Sequence, residues 1–293
     1  MKKILITGGE GFFSSRFVKR YKDEFNILAL GRKELDITNE EMVIKSIEKF
    51  KPDYVIHAAA IAVTDFCNKN PEMAYKINVQ GAVNVAKACK KVNGKLIFIS
   101  SEQVFNGNKE RGPYDEEHTP VPNTVYGENK LEGEKLLKEI IKELWIVRFT
   151  WLFDLPQRGI KMAENIMWEV IKSLLEDKKI KASPNEFRGM TYSYEIIENF
   201  PKLFHLPYGI YHLGSENNLS RYDVVKYILE EMGLYNRLEN LLIKDREKYK
   251  DNPRDIRLNT KKVQELGLKF SNTKDGLKKC IEDYNLNFII KNR

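Results

Sequence analysis

The chain has 293 residues, 42% hydrophobic, 11% aromatic and 31% charged, a composition that sets aside collagen-like, disordered and disulfide-scaffold architectures. Its 49 Lys and Arg against 42 Asp and Glu leave a net charge of +7, which suits an anionic ligand. The lysines are interleaved with acids, as in Lys135 to Glu143, so they read as solvated helix faces rather than a nucleic-acid footprint.

Through the first half, short β-rich runs alternate with helical patterns. Lys3–Thr7 predicts a strand. This basic, apolar start could be mistaken for a secretory signal, but the apolar run ends at Thr7-Gly8-Gly9, too early for one. A helix over 11–24 follows, then a strand at Asn26–Leu30, a helix over 39–50 and a strand over 53–58. A long helical period covers 71–92, before a strand over 95–100. After a loop rich in Gly, Pro and Asn come a helix over 124–143 and a strand over 145–149. These strands are near-continuous apolar runs, as a parallel sheet covered on both faces requires. The alternation therefore predicts an α/β fold with a doubly wound parallel sheet, Rossmann-like.

Beyond residue 150 the regularity weakens. Helical stretches over 163–176, 194–204 and 221–232 are separated by loops, and Gly209–Leu213 is a strand candidate that can rejoin the sheet. The expected organisation is a dinucleotide-binding region over 1–153 and a smaller, mainly substrate-binding C-terminal lobe over 154–293. One segment of that lobe, about 205–215, returns to the sheet. No stretch approaches the length of a membrane span. Cys67, Cys89 and Cys280 are odd in number, lie far apart and lack metal-ligand spacing. The expectations are a reducing, cytoplasmic setting, with neither membrane nor metal as partner.

The first strand runs into Gly8-Gly9-Glu10-Gly11-Phe12-Phe13-Ser14 and then a helix start. Gly8 permits the reversal, and Gly11 lets a pyrophosphate approach the N–H groups of the helix N-terminus. Ser14 stands where a third glycine is usual. Tight turns need glycine on their own account, so strand–turn–helix context carries the nucleotide reading. The second strand ends Leu30-Gly31-Arg32-Lys33, with two cations where an acid usually takes a ribose 2′-hydroxyl. A 2′-phosphate suits Arg32 better, which favours NADP over NAD, against the plainer reading of a basic loop on a basic protein.

Tyr126 and Lys130 are four residues apart at the start of an amphipathic helix, hence on one face. A phenol, with an ordinary pKa of about 10, is expected to be lowered by a neighbouring ammonium towards a value useful in acid–base catalysis. Such pairs are common on solvated helices. Ser100-Ser101, at the carboxyl end of a predicted parallel strand, raises the significance of this one: ligand crevices lie there, and a hydroxyl facing a phenol can polarise a carbonyl between them.

With ILITGGEGFFSS, ELDITN, YVIHAAA, INVQGA, FISSEQVFNG, PYDEEHTPVPNTVYGENKLEGE and IVRFTWLF, the sequence resembles the extended short-chain dehydrogenase/reductase family, in its dTDP-4-dehydrorhamnose reductase branch. Weaker echoes continue in NEFRGMTYS, GIYHLG and RDIRLNT. The resemblance implies NADP or NAD as cofactor and a sugar nucleotide as substrate, with hydride transfer to a sugar keto carbon, carbon 4 of a 6-deoxy-hexulose. It implies Tyr126 as acid/base, Lys130 as its partner and nicotinamide-ribose ligand, and Ser101 as the carbonyl-orienting hydroxyl. Gly8 and Gly11 would hold the pyrophosphate, Asp36 and Ile37 would flank the adenine, and Ala58, Ala59 and Ala60 would line the passage to the nicotinamide. Trp151 matches a tryptophan of the sugar pocket, whereas Glu102 and Gln103 stand where the branch usually has Asp-Tyr.

Other residues have weaker grounds. Arg188 is either a diphosphate ligand or a surface ion pair, and Arg254 and Arg257 invite the same choice. Asn165 is a further candidate for the nucleotide half of the substrate. Phe12 and Phe13 are expected to pack the first helix on the sheet, with a secondary part in closing the cofactor site. His57 reads as a strand-end core histidine, and His118, His205 and His212 are isolated, which argues against a metal site. Two alternatives stay open: a nucleotide-sugar epimerase or dehydratase that retains its cofactor, using Glu102 as an extra acid/base group, and a non-catalytic dinucleotide-binding regulatory subunit. A homodimer is compatible with any exposed helix.

Overall fold

Strands with no polar face need cover on both sides, and the computed structural model, which describes residues 1–287, supplies it. In chain order the first strands are β1 (Lys3–Thr7), β2 (Asn26–Leu30), β3 (Tyr54–His57), β4 (Lys95–Ser101) and β5 (Leu144–Phe149). Short strands β6 (Trp151–Phe153), β7 (Ile180–Ala182), β8 (Glu186–Phe187) and β9 (Met190–Tyr192) follow, and β10 (Gly209–Leu213) comes back beside β5. The main sheet has the order β2-β1-β3-β4-β5-β10, and every pairing in it is parallel. Strand order reverses between β1 and β3, so the carboxyl ends of these two strands open the ligand crevice of a doubly wound sheet.

One face is covered by helices α1 (Phe12–Tyr21) and, from the other half of the chain, Ser193–Asn199. Their aromatic core joins Phe13, Phe17, Phe200 and Phe204 to Tyr54 and Trp145. Val43, Ile47, Val85, Ala86 and Leu137 form the opposite layer, from helices α2 (Glu40–Phe50), Gly81–Lys91 and Val125–Ile140.

The helix expected over 71–92 is three pieces: Pro71–Tyr75, a π turn at Lys76–Gln80 and Gly81–Lys91. The π turn swings Asn78 onto the segment after β3. Its Oδ1 accepts from Ile61 N–H at 2.8 Å and its Nδ2 donates to Ile61 O at 3.0 Å. That double clamp fixes the segment bordering the crevice, a use typical of π bulges at sites.

The C-terminal lobe has its own core, built from Ile166, Met167 and Val170, Val224, Val225 and Ile228, and Leu277 and Ile281. Its junction with the sheet is polar. Arg16 of α1 donates from Nε to Asp154 Oδ2 at 2.6 Å, and both side chains are buried. Ser193 and Tyr284 hydroxyls also donate to Asp154, at 2.9 and 2.8 Å. A second buried knot braces the sheet: Glu134 accepts from Arg148 (3.0 and 2.7 Å) and Ser100 (2.5 Å). Arg148 also faces His212 at 3.3 Å. Burial, with Arg148 beside it, drives the His212 pKa down to about 3, so it is a neutral structural ring. Among the described residues no group of three or more His, Cys, Asp or Glu could hold a metal, and no helix is long and apolar enough to cross a membrane.

Candidate active site

β1 ends at Thr7 and the chain reverses on Gly8, whose φ of 69° lies in the left-handed region that glycine enters without strain. A Cβ there would stand 2.8 Å from the Ala59 backbone, so the segments after β1 and β3 meet with no room for a side chain. Gly11 N–H donates to Gly8 O at 2.8 Å, closing the turn. Gly11 then caps α1 without a side-chain hydrogen bond, and the first turn of α1 contains no acid. Its positive end is left for an external anion.

From this turn runs a groove of about 450 Å³ lined by Gly8, Gly11, Arg32, Asp36, Ile37, Ala58, Ala59 and Ala60. All eight are residues expected from the sequence to hold a cofactor. Lys76 and Lys161 line it as well and were missed. The hydroxyl and N–H of Thr38 hold the Asp36 carboxyl below its ordinary range, at 2.8 and 2.9 Å. Phe12 and Phe13 do not line the groove. Phe13 is buried against Phe149 and Phe200, at 5.5 and 4.8 Å between ring centres, and Phe12 lies under the Arg16 guanidinium at 3.8 Å. Their side chains pack α1 and, like those of Tyr126 and Lys130, lie outside the groove.

Strand alternation separates the two serines. Ser100 is spent on Glu134, whereas Ser101 accepts from Gln103 N–H at 3.2 Å and meets the phenol of Tyr126. Thr124 caps the helix Val125–Ile140, accepting from Gly127 N–H at 3.2 Å. A Cβ on Gly127 would fall 2.6 Å from Gln103 O, so the helix abuts the end of β4 and delivers Tyr126 there. Lys130, one turn on, donates from Nζ to Ile99 O at 2.7 Å and lies 5.9 Å from the centre of the Tyr126 ring.

Electrostatics corrects one expectation. Burial pushes the Tyr126 phenol up to about 12, partly offset by the Ser101 hydroxyl. Burial likewise drives the Lys130 ammonium down to about 8. Desolvation raises the phenol where a lowering by Lys130 was anticipated, and at neutral pH it is a protonated acid. His57 is driven to about 3 by burial and is paired with the Thr7 hydroxyl at 2.7 Å, consistent with a core residue.

Next to Ser101, Glu102 is 1% exposed and ion-paired with Arg188, whose guanidinium lies 4.4 Å from the Trp151 ring centre. Arg254 donates to Gln103 Oε1 at 3.2 Å and to Glu186 at 2.5 Å. The structure thus brings together Ser101, Glu102, Gln103, Trp151 and Arg188. Two expectations change. Arg188 is neither a surface ion pair nor a free guanidinium: it is buried and already paired with the Glu102 carboxyl. Asn165 caps the helix Ile166–Leu175, accepting from Trp168 N–H at 3.1 Å and donating to Ala163 O at 3.0 Å, so its side chain is occupied by the backbone. Arg257 is likewise engaged, by Asp255 at 2.7 and 2.8 Å. Glu186 and Arg221, which complete the cluster, were not anticipated.

The model of the RmlD substrate binding domain family matches residues 1–286. The spore coat polysaccharide biosynthesis protein SpsK of Bacillus subtilis (strain 168) is 27% identical over 284 residues, 97% of this chain and 98% of that protein. The dTDP-4-dehydrorhamnose reductase of Aggregatibacter actinomycetemcomitans is 31% identical over 250 residues, covering 82% of this chain and 83% of that one. Among solved structures, the dTDP-4-dehydrorhamnose reductase from Bacillus anthracis in complex with NADP superposes with a TM-score of 0.86 at 28% identity, over 97% of this chain and 99% of that one. On a match that runs from the glycine turn through the C-terminal lobe to residue 286, the chain belongs to the RmlD substrate binding domain family, in the dTDP-4-dehydrorhamnose reductase branch of the short-chain dehydrogenase/reductase-like proteins.

Proposed function

We propose that this chain reduces the 4-keto group of a nucleotide-linked 6-deoxy sugar, with NADPH preferred to NADH. Its family is one of NAD(P)H-dependent oxidoreductases acting on sugar nucleotides. The observation that carries the reading is a buried phenol, hydroxyl and ammonium gathered at the end of β4, beside a groove whose glycine turn fits a pyrophosphate.

The residues present fit a dinucleotide. Gly8 leaves space only for backbone contact, the uncapped end of α1 would take the phosphates, and Arg32, which lines the groove, would hold a 2′-phosphate. When bound, the reduced nicotinamide supplies the hydride. Ser101 holds the substrate carbonyl oxygen by donating its hydroxyl hydrogen, and Tyr126 gives that oxygen its phenolic proton. Lys130, pinned to Ile99 O, fixes the helical turn that presents the phenol and offers its remaining N–H groups to the cofactor ribose.

The testing experiment is NADPH consumption by purified protein with dTDP-, UDP-, GDP- and CDP-linked 4-keto-6-deoxy sugars. Steady oxidation with one series is expected. Dinucleotide that stays oxidised and bound through turnover would favour an epimerase or dehydratase instead. Arg32→Ala is expected to weaken NADPH about tenfold, the scale of one hydrogen bond to a charged group, and to leave NADH unchanged in a fluorescence titration. Equal losses for both would remove the 2′-phosphate from Arg32.

The pH dependence follows from Lys130. Its ammonium loses charge as pH rises through about 8, so kcat/KM is expected to fall above that value. Lys130→Met should show low activity without that limb, and a limb that persists in the variant would belong to another group.

A further inference from the structure

The groove that fits the dinucleotide has a side chamber. A second cavity, of about 790 Å³, adjoins it and shares Glu10, Gly31 and Lys161 with it. Helix α1 gives this chamber Lys19, and the C-terminal lobe gives it the run Arg158 to Lys161. The place of the junction matters. The glycine turn suits the pyrophosphate and the Asp36–Ile37 side suits the adenine, so the ribose between them lies at the end of β2, by Gly31 and Arg32. From that ribose branches the 2′ group, a hydroxyl in NADH and a phosphate in NADPH.

The lobe reaches this junction on a built turn. Ile160 N–H donates to Gln157 O at 3.1 Å, and Gly159 has a φ of 74°, as the third residue of a type II turn requires. Gln157 is fixed from two sides. Its Nε2 donates to the Tyr194 and Tyr284 hydroxyls at 2.9 and 3.0 Å, and its Oε1 accepts from Lys19 Nζ of α1 at 3.1 Å. A tight, anchored turn therefore carries the exposed side chains of Arg158 and Lys161 to the cavity wall.

Charge restricts what belongs there. Four cations surround the junction: Lys19, Arg158 and Lys161 in the side chamber and Arg32 in the groove. Two acids oppose them, Glu10 and Glu34, whose carboxyls close over Gly31: a Cβ there would stand 2.8 Å from Glu34 Oε2 and 2.9 Å from Glu10 Cδ. Asp36, the other acid of the groove, is offset by Lys76. Among the described residues none of the four cations or of the two acids at the junction is in an ion pair. The junction is left with a surplus of two positive charges, and a phosphate monoester brings about −1.5 to −2. A 2′-hydroxyl would leave that surplus unmatched. We propose that Lys161, with Arg158 of the same turn, holds the 2′-phosphate of NADPH together with Arg32, so that the C-terminal lobe, and not the dinucleotide-binding region alone, sets the cofactor preference. The inference rests on the NADPH reading above.

The test is a fluorescence titration of NADPH and NADH at low ionic strength, where exposed charges are least screened, on the wild type, Lys161→Ala and Lys161→Arg. Lys161→Ala is expected to bind NADPH about tenfold more weakly, the scale of one hydrogen bond to a charged group, with NADH within about twofold of wild type. Lys161→Arg keeps the charge and should recover NADPH binding. Calorimetry with adenosine 2′,5′-bisphosphate and with AMP should show the same split, the bisphosphate weakened and AMP unchanged. Equal losses of NADPH and NADH in Lys161→Ala would overturn the proposal, because Lys161 would then serve the pyrophosphate that both carry. So would a double variant Arg158→Ala/Lys161→Ala that keeps the wild-type preference. A wild type that binds both dinucleotides equally would instead overturn the NADPH preference itself.

Discussion

Tyr126→Phe is expected to lower kcat by about 10²- to 10⁴-fold, the usual contribution of a positioned general acid, and to leave the NADPH Kd within about twofold. The substitution removes one hydroxyl. The ring still fills its apolar niche against Cys67 and Ala74, so neither the helix nor the groove has cause to move. Most neighbours are unable to replace the lost proton donor. His57 is neutral and paired with Thr7, Lys130 is tied to Ile99 O, and Ser101 lacks the acidity. Glu102 alone is a conceivable understudy, since burial pushes its carboxyl up to about 7 against the pull of Arg188 and Arg254. Residual activity that rises as pH falls through 7 would identify that carboxyl as the substitute acid. Activity within tenfold of wild type, with no pH dependence, would remove Tyr126 from the reaction. Steady-state kinetics and a cofactor titration on the same preparation separate these outcomes.

How much of this was legible before the coordinates depends on the range of the forces involved. β1, β2 and β10 lie where apolar runs between turn signals placed them, because a strand of a sheet covered on both faces writes its identity in consecutive apolar residues. The π turn at Lys76–Gln80 left no trace, because the apolar spacing runs through it unbroken. The helix Thr64–Lys69 is too short to show a period, and strands of two or three residues such as β8 have none to show. In the site, the glycine turn and the Tyr126–Lys130 spacing were readable because both are local. Asn165 is readable too: an Asn directly before the apolar run Ile166-Met167 is a helix-cap signal, and the cap is what its side chain makes.

What stayed hidden is long-range charge pairing. Glu102 and Arg188 are 86 residues apart, and nothing near either one announces the other. The same blindness explains the misjudged phenol. Spacing shows that an ammonium is near Tyr126, but the sign of the shift is decided by burial, which only the packed structure supplies.

Asp154→Ala is expected to cost about 3–5 kcal/mol of stability, the penalty for breaking a buried ion pair and stranding its partner. Asp154 is fully buried and accepts from Arg16, Ser193, Gln157, Tyr284 and the Leu155 N–H. Without it the Arg16 guanidinium keeps only the carbonyls of Phe12 and Leu155, at 3.1 and 3.4 Å. A surface pair is the control. Arg20 meets Glu24 and Glu198 in the open, and Arg20→Ala should leave the urea midpoint almost unmoved. The double variant Arg16→Met/Asp154→Leu should recover the part of the loss that comes from the stranded guanidinium, but not the part from the Ser193, Gln157, Tyr284 and Leu155 donors that also lose Asp154 as acceptor. Arg16 also ties the C-terminal lobe to α1, the helix whose first turn is the proposed phosphate site. Asp154→Ala should therefore weaken NADPH as well, and the double variant should recover stability further than it recovers cofactor affinity. If the single substitution shifts the urea midpoint no more than Arg20→Ala does, the lobes are held by their apolar contacts and the Arg16–Asp154 pair is incidental.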